Sequence, residues 1–231
     1  MALSASSPAS TAAAGSRVVG GTSPYPWPWQ ADLDPARTAF VITGAQHALL
    51  ATAPWALPTL ELIDRTAAGL RTAGVMVTWV RHARDEPTLD GTPGRASPAP
   101  IARRRLIPTV TQAALAGSVE PGDIVVDASG IDGFHGSRLD DVLRANGREL
   151  LLLGGIGLET TVHSTLRSAN DRGYECLLLT DASAAHDPAL TAASLSSICM
   201  SGGIFGAIGT AELALEALRD LIPFAPPEEH P

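Results

Sequence analysis

Glu149-Leu-Leu-Leu-Leu-Gly-Gly-Ile-Gly157, followed by Leu158-Glu-Thr-Thr-Val-His-Ser-Thr-Leu-Arg-Ser-Ala-Asn-Asp-Arg-Gly173 and Tyr174-Glu-Cys-Leu-Leu-Leu-Thr180, reads as strand, turn, helix and strand in succession. The run from Glu149 to Leu153 is almost wholly apolar, as a strand covered on both faces of a sheet must be. Gly154, Gly155 and Gly157 make the turn, a helix extends from about Glu159 to Arg172, and Gly173 stops it. Tyr174 to Thr180 is the next strand. Such a unit implies a parallel pair, and right-handed crossovers place helices on the faces of the sheet.

The alternation continues in both directions. Upstream, Thr38-Ala-Phe-Val-Ile-Thr43 is a strand, and Pro54 to Gly74 is a helix carrying Leu57, Leu60, Ile63, Ala67 and Leu70, with its prolines confined to the start. Val75-Met-Val-Thr-Trp-Val80 is another apolar strand, Gly122 to Val126 the next, and Ser137 to Asn146 a short helix. Downstream, Pro188 to Met200 is helical, Ile204 to Ile208 is a short strand, and Ala211 to Leu221 is a helix capped by Thr210. The pattern predicts one α/β domain over residues 38–222, a three-layer α/β/α arrangement with a mostly parallel six-stranded sheet.

Residues 1–23 are Ala/Ser/Pro-rich and expected to be a disordered tail, and residues 223–231 a C-terminal tail. Residues 24–37 form an arm whose Tyr25-Pro-Trp-Pro-Trp29 cannot be helical. It packs on its own domain or on a neighbouring subunit, or else lines a ligand with aromatic rings. Residues 81–105 are charged, Pro/Gly-rich and aperiodic, a surface excursion.

Composition narrows the function. The chain has 231 residues, 45% hydrophobic and 17% charged, and 16 basic against 24 acidic side chains leave a net charge of -8. That balance excludes a general phosphate-backbone binder and a polybasic membrane anchor, so neither nucleic acid nor membrane is an expected partner; Arg103-Arg-Arg105 is short and isolated. No apolar run approaches the roughly 18 residues of a membrane span. The first 16 residues lack the basic and apolar regions of a signal peptide. Two cysteines, Cys176 and Cys199, make neither a disulfide scaffold nor a cysteine-built zinc site, and the reducing cytoplasm is the expected location.

Ligands of parallel α/β folds collect at the carboxyl ends of the strands. The candidate pocket residues are therefore Gln46, His47, Arg81, His82, Asp127, Asp132, Phe134, Gly157, Leu158, Glu159 and Thr160. The six histidines show no metal-ligand spacing, and no metal or cofactor is expected. His47 and His82 each follow a strand and form either a base or metal pair or, more ordinarily, two hydrogen-bonded histidines rimming a cleft. Gly154-Gly-Ile-Gly157 lacks the third glycine of G-x-G-x-x-G, and Glu159 would compete with a phosphate at the helix start, so a tight turn is its role. Asp181 and Asp187 read as loop or capping residues.

The segment from Gly155 to Leu179 resembles the isochorismatase-like cysteine hydrolases, nearest the amide-hydrolysing branch that includes biuret and N-carbamoylsarcosine hydrolases. Pro26-Trp-Pro-Trp29, Gly133-Phe-His-Gly-Ser-Arg-Leu-Asp140 and Gly202-Gly-Ile-Phe-Gly-Ala-Ile208 extend the resemblance over roughly residues 24–221. It implies a cysteine thiolate that attacks an amide or ureido carbonyl, an aspartate that shuttles the proton, an assisting lysine and backbone amides that hold the oxyanion. It also implies a non-proline cis peptide near Gly157–Leu158. All three catalytic positions differ here. Thr43, in Val41-Ile-Thr-Gly-Ala-Gln46, stands for the aspartate, Ala128 for the lysine, and Thr161, in Leu158-Glu-Thr-Thr-Val-His163, for the cysteine. His82 follows Arg81 where the branch has a further acidic residue.

A threonine hydroxyl is far harder to ionise than a thiol and needs a positioned base, which Thr43 does not supply. Losing anion, cation and thiol together leaves neutral groups and strands no charge. The expected function is a catalytically silent homologue, a structural or regulatory subunit in a homo- or hetero-oligomer with isochorismatase-like chains, one of them an active amidohydrolase. The alternatives are non-hydrolytic conversion or binding of a small polar ligand, with His82, His47, Asp127, Asp132 or Glu159 as ionisable groups, and weak amide hydrolysis through Thr161 or a histidine-activated water.

Overall fold

A computed structural model describes residues 17–30, 32–84 and 107–221. Its six strands are β1 (Thr38–Thr43), β2 (Met76–His82), β3 (Ile124–Ala128), β4 (Leu150–Ile156), β5 (Glu175–Ala184) and β6 (Ala207–Gly209). They form one sheet in the order β3-β2-β1-β4-β5-β6, and every neighbouring pair is parallel. The helices are α1 (His47–Leu50), α2 (Leu57–Thr72), α3 (Leu139–Ala145), α4 (His163–Asp171), α5 (Thr191–Gly203) and α6 (Ala211–Glu216).

Both faces of the sheet are covered, which explains why the strands read as continuous apolar runs rather than as alternating ones. Side chains still alternate along each strand. Phe40, Ile42, Leu152 and Ile156 pack in one core with Ile63, Ala67 and Leu70 of α2 and with Ala211 and Ala214 of α6. Ala39, Val41, Leu151 and Leu153 pack in the other with Leu139 and Leu143 of α3, Leu166 and Ala169 of α4, and Ile198 of α5. The buried carboxylate of Asp123 ties α2 to the entry of β3, accepting two bonds of 2.8 Å from Arg71 and one of 2.9 Å from Trp79 Nε1.

Several elements end differently from their sequence-based bounds. β4 continues to Ile156 and β5 to Ala184. The register jumps from Leu153 opposite Leu178 to Gly155 opposite Ser183, so β5 bulges and carries extra residues toward its carboxyl end. Asp181 lies in the bulge, and its Oδ1 accepts from the backbone N–H of Ala182 and of Ala211, the first residue of α6. Asp187 Oδ1 accepts from Ala189 N–H at the turn that leads into α5. The helix expected from Glu159 begins instead as a π-turn over Leu158–Val162, the wider winding that recurs at functional sites. The cis bonds among the described residues, Ser23–Pro24 and Trp27–Pro28, both precede proline. Gly157–Leu158 is trans, contrary to what the resemblance implies, because Gly157 makes the turn through its own dihedrals, at φ 92° and ψ 56°.

The arm packs on its own domain: Trp27 is fully buried in the α2-side core. Residues 17–23, assigned to the tail by composition, make backbone bonds. Val19 N–H donates to Trp27 O at 2.8 Å, and Ser23 pairs with Ile208. Residues 1–16, most of the 81–105 excursion with Arg103-Arg-Arg105, and residues 222–231 lie outside the described residues. Among those described, no helix is long and apolar enough to cross a membrane.

Candidate functional site

The strand order reverses between β1 and β4, and the crevice outside their carboxyl ends is where such folds place ligands. Two glycines shape it. Gly44 follows β1 at φ 70°, and a Cβ there would lie 2.2 Å from Ile156 O and 2.9 Å from Thr161 Oγ1. Gly157 follows β4, and a Cβ there would lie 2.6 Å from Thr160 Oγ1, 2.9 Å from His186 Nε2 and 3.0 Å from Thr161 Oγ1. A side chain at either position would collide, so these glycines let the end of β1 lie directly against the end of β4 and the turn that follows it.

Thr43, the last residue of β1, is fully buried, with its Oγ1 2.5 Å from His82 Nε2. His82 ends β2 and is also fully buried, with its Nδ1 2.8 Å from Gly130 O. A carbonyl can only accept, so Nδ1 carries the proton, Nε2 accepts, and the Thr43 hydroxyl donates to it. Burial holds the imidazole below its ordinary pKa and so favours the neutral ring, opposed by the Gly130 carbonyl and by the charge of Asp132. Gln46 fixes the backbone around it: His82 N–H donates to Gln46 Oε1 at 2.9 Å, and Gln46 Nε2 donates to His82 O at 3.0 Å and Ala113 O at 2.9 Å. Ala128 is buried at the end of β3, in register with His82, and brings only a methyl group.

Thr161, in the π-turn, is fully buried and donates its hydroxyl to Ile156 O at 2.7 Å. Thr160 donates to Gly157 O at 3.2 Å. Glu159 does not face a ligand position. Its two oxygens accept from His186 N–H at 3.1 Å and Asp187 N–H at 2.9 Å, clamping the loop after β5 to the π-turn.

Other sequence-selected residues fall elsewhere. Arg81 and Asp127 are register partners on β2 and β3 and form an exposed two-bond ion pair, while their neighbours His82 and Ala128 point to the opposite face. Phe134 stacks on Tyr174 with ring centroids 5.9 Å apart, under the Arg172 guanidinium, and belongs to the core beside α4. Leu158 is buried in that same core. Asp132 Oδ1 accepts from Phe134 N–H, and its charge is felt by His82 without direct contact. His47 is exposed at the start of α1. The His47–His82 pair does not form, since both ring nitrogens of His82 are engaged with Thr43 and Gly130.

His186 is the site residue that sequence reasoning passed over. Both its ring nitrogens are shielded from solvent without a hydrogen-bond partner among the described residues, and burial lowers its pKa against the opposing charge of Glu159. The signal that would have found it is the length of β5, because a strand ending at Ala184 delivers His186 to the edge where β1 and β4 end.

Neither cysteine takes the place of the missing thiol. The sequence contains no lysine at all. Cys176 is the second residue of β5, at the amino end of the sheet, and burial raises its thiol pKa; Cys199 lies on α5, its thiol also raised by burial. Among the described residues no three His, Cys, Asp or Glu side chains converge on a metal position. The crevice brings together, among the described residues, the tied hydroxyls of Thr43, Thr160 and Thr161, the imidazoles of His82 and His186, both held below their ordinary pKa by burial, and the methyl group of Ala128.

A model of the isochorismatase domain matches residues 38–211. The ureidoacrylate amidohydrolase RutB of Methylorubrum extorquens AM1 is 32% identical over 176 residues, covering 69% of this chain and 71% of that protein. The crystal structure of a cysteine hydrolase from Pseudomonas syringae pv. phaseolicola superposes with a TM-score of 0.67 at 22% identity, over 82% of this chain and 95% of that one. N-carbamoylsarcosine amidase from Thermoplasma acidophilum superposes at 0.58 with 19% identity, over 76% and 97%.

Proposed function

The chain belongs to the isochorismatase family, and from that premise we propose that it is a catalytically silent member, a structural or regulatory subunit of a cytoplasmic oligomer with an active amidohydrolase-type chain. The observation that carries this reading is the Thr161 hydroxyl, bound at 2.7 Å to Ile156 O, with no carboxylate or cation bonded to it among the described residues. The other hydroxyl, Thr43, is consumed by a neutral imidazole. Without a thiolate, and with neither base nor cation at Thr161 among the described residues, the backbone amides of the turn supply only a residue of the family's rate enhancement. The intact fold and the exposed apolar side chains of Trp55 and Leu57 favour a subunit role, and Trp55 Nε1 donates to Ala185 O beside the site. The ureidoacrylate amidohydrolases among its relatives, together with the sequence resemblance to the biuret and N-carbamoylsarcosine branch, make a ureido- or amide-cleaving chain the natural partner.

Co-expression with such a homologue from the same cells, followed by native mass spectrometry and activity assay, tests the proposal. A hetero-oligomer whose activity needs both chains supports it; a homo-oligomer indifferent to the homologue contradicts it.

One observation favours a second reading. Thr43, His82 and Gly130 stand in the order hydroxyl, base and orienting acceptor, the arrangement of an activated nucleophile. A weak hydrolase or a non-hydrolytic enzyme built on it would lose turnover in both Thr43→Val and His82→Gln.

A further inference from the structure

A cavity of about 620 Å³ lies at the amino ends of the strands, across the sheet from Thr43 and Thr161, and nothing in the proposed function uses it. Tyr25, Trp29 and Gln30 of the arm form one side; Asn170 of α4 and Glu175 and Cys176 of β5 form the other. Its volume suits a small molecule rather than a single ion.

The lining has one chemical bias. The Tyr25 and Trp29 rings meet edge to face, with centroids 5.5 Å apart at 78°, and Trp29 is 62% exposed, so its indole is available to an occupant. Aromatic faces carry negative potential and attract cations. Glu175 adds a half-buried carboxyl group, raised in pKa by burial against the backbone N–H groups of Trp29 and Gln30 and the charge of Arg37, and it makes no ion pair among the described residues, Arg37 being bridged to Glu149; a cation beside it would favour its charged form. Among the described residues neither arginine nor histidine lines the cavity. The net charge of -8 draws cations toward the whole surface. Cys176 is wall rather than nucleophile, its thiol buried and bonded to Tyr174 O.

We propose that this cavity binds a small organic ammonium compound, its cationic end against Trp29 and Tyr25 and balanced by Glu175, its polar end within reach of the Gln30 and Asn170 amides. Alkylated ammonium groups fit better than metal ions or ammonia, because the aromatic walls offer contact area and few oxygen ligands.

Calorimetric titration of the full chain with choline tests the site, against 3,3-dimethylbutan-1-ol, the uncharged carbon isostere, and sodium chloride at equal ionic strength. Saturable binding of choline alone is expected, with Kd raised about tenfold or more in Glu175→Gln and in Trp29→Leu. Gln retains an oxygen for the Trp29 amide, and the exposed Trp29 carries the comparison if the Glu175 variant fails to fold. No saturable heat, equal binding of the isostere, or binding unchanged in Trp29→Leu would overturn the proposal.

Discussion

The hydroxyl of Thr43 and the Nε2 of His82 lie 2.5 Å apart in a fully buried pair, at the position to which the sequence resemblance assigns the family's proton-shuttling aspartate. The substitution at the end of β1 therefore has a partner at the end of β2. A carboxylate at that position would face a neutral imidazole, with neither lysine nor thiol to balance it, whereas a hydroxyl completes a closed chain of neutral bonds from Thr43 through His82 to Gly130.

Thr43→Val keeps the shape and removes the donor, leaving a buried imidazole nitrogen unpaired. It should destabilise the fold by about 1–3 kcal/mol, read as a lower urea midpoint. Thr161→Val leaves Ile156 O, which retains sheet neighbours, without its side-chain donor and should cost about 1 kcal/mol. The reverse ranking would place the weight of the site on the wrong hydroxyl.

Acid should weaken the protein. His82, His163 and His186 all have pKa values lowered chiefly by burial from the ordinary 6.5. The unfolded chain then binds protons that the folded chain refuses, so their contribution is fully present above about pH 6.5 and is lost as pH falls below it. His82 alone gives a slope of up to about 1.4 kcal/mol per pH unit in that window. Urea unfolding at several pH values checks this, and His82→Gln should flatten the profile. Stability that stays level on acidification would contradict a neutral buried His82.

The two turn glycines should differ in tolerance. In Gly44→Ala the new methyl meets a backbone carbonyl at 2.2 Å, whereas in Gly157→Ala it meets a threonine hydroxyl at 2.6 Å that can rotate away. Both positions have positive φ, so both variants lose about 1 kcal/mol or more, with Gly44→Ala the more severe in thermal melting.

Thr161→Cys should not create an activated thiol. Ala128 supplies no cation and Thr43 no base, so iodoacetamide should alkylate the new cysteine at neutral pH no faster than an unperturbed thiol. Rapid alkylation would mean that the π-turn alone lowers the thiol pKa.

Much of the fold was legible because buried parallel strands and Gly-ended helices leave strong local signals, as in Leu150–Leu153 and Gly173. Strand ends were not. The bulge in β5 is decided by its pairing with β4 and by Asp181 reaching Ala211, both invisible to local pattern, and the early end assigned at Thr180 hid His186. In the site, the sequence marked Thr43, Ala128 and Thr161 through flanking motifs. It could not tell that Arg81 and Asp127 neutralise each other on the far face, that Phe134 serves the core, or that His82 turns to Thr43 and not to His47. Those outcomes follow from register and side-chain direction, which exist only once the sheet is assembled.

Ammonia release from a panel of ureido and amide compounds, ureidoacrylate included, measures the silence of this crevice most directly when the purified chain is assayed alone beside Thr161→Ala. The account predicts equal, background rates for the two proteins. Turnover by the natural chain that disappears in Thr161→Ala would show that a threonine does the cysteine's work here.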